Sequence, residues 1–132
     1  MLEYPPKILI AFAETISGNV EILNWLLGNG YPELAALSSA IRGSEEAGQW
    51  LLKNGYPQFA ALDQAIDGNA SAYNWLANNN FHLLAVLADA CNGKSEAINW
   101  LGVHELRIFL VIAAKIHDLR ENTTYDYHKI HF

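Results

Sequence analysis

Residues 32–56 read PELAALSSAIRGSEEAGQWLLKNGY and residues 57–81 read PQFAALDQAIDGNASAYNWLANNNF. Laid one beneath the other, they share proline at the first place, leucine at the sixth, isoleucine at the tenth, glycine at the twelfth and tryptophan at the nineteenth. The same columns continue outward in both directions. Trp25, Trp50, Trp75 and Trp100 stand 25 residues apart, as do Gly18, Gly43, Gly68 and Gly93. Phe12, Leu37, Leu62, Leu87 and Ile112 form a third column, and Ile16, Ile41, Ile66, Cys91 and Ile116 a fourth. A fixed period of this length marks a repeat architecture. The repeats run 7–31, 32–56, 57–81 and 82–106, followed by a half-repeat 107–118 and a tail 119–132.

Within each repeat the apolar residues recur three and four places apart, as Leu34, Leu37 and Ile41 or Ala47, Trp50 and Leu51 do, which is helical spacing and not the alternation of a strand. Two helices per repeat follow. Pro32 and Pro57 open the first, where a missing N–H is no loss. Gly43 and its equivalents end it, because glycine takes the left-handed cap conformation without a Cβ penalty. Asn19, Ser44 and Asn69 then stand ready to accept hydrogen bonds from the first turn of the second helix, with Glu21, Glu46 and Glu96 at its positive end. That helix stops at Asn29-Gly30-Tyr31-Pro32 or Asn54-Gly55-Tyr56-Pro57, the tyrosine folding back on the last turn. Nine short helices result, the last from 107 to 118, over roughly two thirds of the chain. Helices of about ten residues are marginal alone in water, so stability must come from stacking. All four tryptophans are expected in or near the core, bridging neighbouring hairpins. Small residues such as Ala35, Ala36, Ala60, Ala61 and Ala85 fill one seam.

This arrangement resembles the α-solenoid class, to which armadillo, HEAT and tetratricopeptide proteins belong, over residues 7–118 and in general architecture. Their diagnostic motifs are absent and their periods are longer. The 24-residue variant of leucine-rich repeats has a similar period but usually lacks a strong second helix. The resemblance implies an all-α, α-α superhelix: one short right-handed solenoid of 25-residue two-helix repeats, forming a single domain over 1–132.

Composition narrows the function. The chain is 52% hydrophobic and 17% charged, far from a disordered composition. Its net charge is −6. Residues 1–106 hold 4 basic and 11 acidic side chains, and residues 107–132 hold 4 and 3. Such a surface repels phosphate backbones, so nucleic acid is not the expected partner and a basic protein or peptide is. Between Gly68 and Ala88 no charge occurs, but Asn69, Asn74, Asn78, Asn79, Asn80 and His82 make that stretch too polar for a membrane span. One cysteine and an N-terminus without a basic start or cleavable apolar run point to the cytoplasm.

Chemistry-bearing groups are few. Cys91 sits in an isoleucine column and reads as a buried small hydrophobe. A metal site from His117, His128 and His131 matches no zinc spacing. No phosphate-cradling loop, nucleophile elbow or His-Glu-x-x-His run occurs. No catalytic residue and no cofactor are assigned. Asp63 and Asp67, one helical turn apart, read as a solvated acidic face or as a docking stripe for a basic partner. The amide column Asn24, Gln49, Asn74 and Asn99 is either a hydrogen-bonded structural ladder or a grip on an extended peptide.

The ends depart from the consensus, as terminal repeats should. Ile8, Leu83 and Ile108 replace Glu33 and Gln58, and repeat 1 has Val20 and Leu23 where repeat 2 has Glu45 and Gly48. Either residues 1–6 cover this apolar end, or a homodimer or partner contact through the N-terminal repeat does. The aromatic tail reads as a cap over the last helix or as a docking segment.

The function expected is a non-catalytic protein-interaction scaffold or adaptor. Its binding surface is placed on the first-helix face, where Ser38, Ser39, Arg42, Asp63, Gln64, Asp67, Asp89 and Asn92 vary while the framework of Trp25, Trp50, Trp75, Trp100, Gly18, Gly43, Gly68 and Gly93 does not. The alternatives are a small acidic inhibitor of the immunity type and an enzyme or small-ligand domain with an unrecognised pocket.

Overall fold

A computed structural model describes the backbone of residues 1–130 and the side chains of residues 1–122. Among the described residues there are nine helices, 76% of the chain, and no strand. In order they are α1 (Pro6–Ile16), α2 (Val20–Gly28), α3 (Pro32–Ile41), α4 (Glu45–Lys53), α5 (Pro57–Ile66), α6 (Ala70–Asn78), α7 (His82–Cys91), α8 (Ser95–Val103) and α9 (Arg107–Ile130). The last is twice the expected length. It continues past residue 118, carrying Leu119 and Arg120 over the ends of the preceding helices.

The local signals act as their chemistry demands. Asn19 accepts from the Ile22 N–H at 3.1 Å, Ser44 from Ala47 at 3.1 Å and Asn69 from Ala72 at 3.0 Å. Gly43 lies at φ 111° and Gly68 at φ 91°, a region that L side chains avoid. At the other turn, the Tyr56 N–H donates back to the Leu51 carbonyl at 2.8 Å and the Phe81 N–H to Leu76 at 2.9 Å, closing each second helix as a Schellman cap. The asparagine before this turn also works: Asn29, Asn54 and Asn79 donate to the carbonyls of Trp25, Trp50 and Trp75 at 2.7 to 2.8 Å. His104 replaces it in the fourth repeat and meets the Trp100 carbonyl at 2.8 Å.

The odd-numbered helices pack side by side in chain order, α1 on α3, α3 on α5, α5 on α7 and α7 on α9. The row then closes, because α9 also packs on α1. The result is an inner ring of five helices with α2, α4, α6 and α8 outside, each wedged between two inner helices. An open array would leave a long concave face lined by first helices; closure removes it. Lys115 on α9 ties the seam, donating to the Ser17 hydroxyl at 2.7 Å and lying 4.0 Å from Glu14.

The core is not where the tryptophans are. Leu26, Leu51, Leu76 and Leu101, each following a tryptophan, are fully buried, whereas Trp25 is 48% and Trp75 38% exposed and Trp50 and Trp100 are half-buried. An outer helix has neighbours on one side only, and the leucine takes that side. The indoles lie at its edge and cover the following turn: Trp50 stacks on Tyr56 at 6.1 Å, Trp75 on Phe81 at 5.7 Å and Trp100 on His104 at 3.9 Å. At the N-terminus, Tyr4 packs edge-on to Tyr31 and donates to Glu33 at 3.0 Å, and Ile8 is buried, so the leading segment covers part of that end. Val20 stays 64% exposed.

Candidate functional site

Hairpin connectivity makes the inner helices run parallel, so their C-terminal ends gather at one mouth of the ring. Unpaired carbonyls and the negative ends of four helix dipoles, those of α1, α3, α5 and α7, collect there, while α9 runs on past the mouth. Cationic side chains answer them. Arg42 donates to the Ile16 carbonyl of α1 at 2.9 Å, Arg120 to the Ile41 carbonyl of α3 at 3.4 Å, and His117 meets the Cys91 carbonyl of α7 at 3.0 Å.

Most residues expected to form the binding face lie at or near this mouth, but several are committed internally. Asp63 is largely buried, with Arg120 3.7 Å away. Burial, then the neighbouring Asp67, push its carboxyl up to about 6, against the opposing pull of Arg120. Asp67 is more exposed and is bonded and ion-paired to Arg120. Asp89 accepts from the Tyr73 hydroxyl at 2.9 Å and pairs with Lys94 at 3.1 Å. Ser38 is buried, Ser39 half-buried, Gln64 accepts from Asn69 at 3.2 Å, and Asn92, the residue that follows α7, donates back to the Ala88 carbonyl. Arg120 was invisible in the sequence, because it stands 53 residues from Asp67 and outside the repeat columns.

The surface is furrowed between outer helices. A cleft of about 490 Å³ lies between α4 and the end of α5, lined by Glu45, Gln49, Asp63, Gln64 and Asp67 with no cation among its lining residues. A second of about 400 Å³ runs between α2 and α4 over α3, and a third of about 280 Å³ adjoins it at the α1–α2 turn. The amides Asn24, Gln49, Asn74 and Asn99 are all exposed and make no hydrogen bond among the described residues, so they form no ladder between repeats.

Cys91 is 2% exposed, and burial pushes its thiol up to about 12, which keeps it protonated and unreactive at neutral pH. No group of three potential ligands that could hold a metal occurs among the described residues. His128 and His131 lie outside the described side chains. No described helix is long and apolar enough to cross a membrane. No family model matches this chain, and neither a curated protein nor a solved structure matches it, so the reading of the site rests on its own geometry.

Proposed function

We propose that the chain is a non-catalytic scaffold that binds a protein or peptide through a basic segment. The observation behind this is the acidic cleft beside α5, where Glu45, Asp63 and Asp67 line one concavity and a single guanidinium, Arg120, answers the two aspartates. Asp67 and Glu45 face solvent there. A lysine or arginine entering the cleft would meet carboxylates whose charge is only partly neutralised, and long-range attraction would speed its approach. In this reading the chain forms a single domain, a right-handed superhelix of hairpins bent until its ends meet, and the variable first-helix residues beside the cleft tune the partner.

Capture of partners from the native host, compared between wild type and Glu45→Lys, Gln49→Lys, tests the reading. Both side chains line the cleft and make no hydrogen bond or ion pair among the described residues, so the variant leaves the Arg120 contacts alone. Basic partners should be captured by wild type, lost from the variant and released as salt rises. Retention of the same partners with the same salt dependence overturns the proposal.

A further inference from the structure

Across α4 from the acidic cleft, two further clefts differ from it and from each other. The smaller, where the α1–α2 turn meets the end of α3, is lined by Arg42, Ser38, Ser39, Ser44 and Asn19. The larger is walled by Leu23, Leu27, Ala35, Ala36 and Trp50. Leu23, Ser39 and Ser44 line both, so the two are continuous. Glu46 is the one carboxylate among all their lining residues.

The smaller cleft suits an oxyanion for three separate reasons. Arg42 forms no ion pair with a described residue, and its one hydrogen bond leaves through Nη1. The guanidinium lies against Gly18, where a Cβ would stand 3.6 Å from Nη1. The nine-residue α2 starts at this cleft, and with Asn19 capping Ile22, the Val20 and Glu21 N–H groups at its positive end are left open. Ser38, in the lining, is 1% exposed and its hydroxyl has no hydrogen-bond partner, a buried donor left over.

An anion site that opens into an apolar furrow calls for a carboxylate carried on apolar side chains. We infer that the joined clefts bind the free C-terminus of a partner protein ending in apolar residues, with the terminal carboxylate at Arg42 and the last side chains against Leu23 and Leu27. The furrow is shallow, and Leu27 on its wall is 51% exposed. A bare alkyl chain would stay half in water there, whereas a peptide keeps its backbone polar groups solvated while burying its side chains. Ser44 also lines the acidic cleft, but Arg42, Leu23 and Leu27 do not, so this site stands whether or not that cleft binds.

The test is fluorescence anisotropy with fluorescein-labelled Ser-Gly-Ser-Ala-Leu-Leu bearing a free carboxylate, against the same peptide amidated. The acid should bind about tenfold tighter or more. Arg42→Gln should erase that preference, and Leu27→Glu should weaken both peptides. If Arg42→Gln does not fold, Ser38→Ala takes its place: it removes a buried hydroxyl that bonds to nothing, should not lower the melting temperature and should cut the acid's advantage several-fold. Equal binding of acid and amide, or an advantage that survives these substitutions, overturns the inference. So does dodecanoate displacing the labelled peptide at lower concentration than unlabelled peptide does, which would assign the furrow to fatty acids.

Discussion

Helices α3 and α4 belong to one repeat and are nearly equal in length, yet α3 buries seven of its ten residues and α4 one of its nine. The difference comes from position in the ring. An inner helix packs on two inner neighbours and on outer helices; an outer helix rests in the groove between two inner ones and turns the rest of its surface to water. One leucine per outer helix therefore carries its attachment, and the larger tryptophan beside it is peripheral. Repetition marks both columns as structural but does not say which faces inward.

Substituting the two columns in turn sharpens this contrast. Leu51→Ala removes a fully buried side chain at the only buried position of α4 and should cost about 3 kcal/mol by chemical denaturation. A loss below that of a tryptophan truncation would reverse the assignment of the core.

The inner ring also holds a carboxylate, Asp63, whose raised proton affinity bears on stability. Asp63 takes up its proton near pH 6 in the folded state and near its ordinary 3.8 when unfolded. Between those values the folded chain binds more proton than the unfolded one, so stability from this group is full below about pH 4 and falls as pH rises through 6. The stability of wild type relative to Asp63→Asn should therefore decline from pH 4 to pH 7. A flat difference would show that Arg120 compensates the burial fully.

Trp75→Ala should cost less than Leu51→Ala, about 1 to 2 kcal/mol, since what is lost is a stack on Phe81 and a partly exposed surface. Smaller still are the glycines. Gly68→Ala at φ 91° should cost about 1 kcal/mol, whereas Gly48→Ala, inside α4 with open space at its Cβ, should stabilise by about 0.5 to 1 kcal/mol. Thermal unfolding of the pair separates the backbone requirement from mere repetition, because only one of the two belongs to a glycine column.

What the sequence made legible was whatever is local. Helix starts at Pro32 and Pro57, caps at Ser44 and Asn69 and left-handed turns at Gly43 and Gly68 each depend on a few adjacent residues, and all stand where their chemistry put them. Closure of the ring was not legible, since it depends on the small rotation between successive hairpins, which no single residue encodes. The candidate binding face was legible only in part. Asp63, Gln64 and Asp67 do line one cleft, but the pairing of the two aspartates with Arg120 follows from closure, which brings the extension of α9 across the mouth. The furrow at Leu23 and Leu27 went unread because Leu23 looked like part of an apolar end needing cover and nothing singled out Leu27, when the two form one wall of a groove whose other wall is the next outer helix.

Closure is thus the claim on which the placement of both sites depends, and a distance across the seam tests it most directly. Ser17 and Asp118 line one cleft where α1 meets α9, and both face solvent. Spin labels at these two positions, with buried Cys91 replaced by alanine, report that distance by double electron–electron resonance. Neighbouring helices pack about 8 to 10 Å apart, so a closed ring places the labels within about 20 Å of each other. An open array, with four such steps between the first and last inner helices, would place them about 35 Å apart and contradict the account.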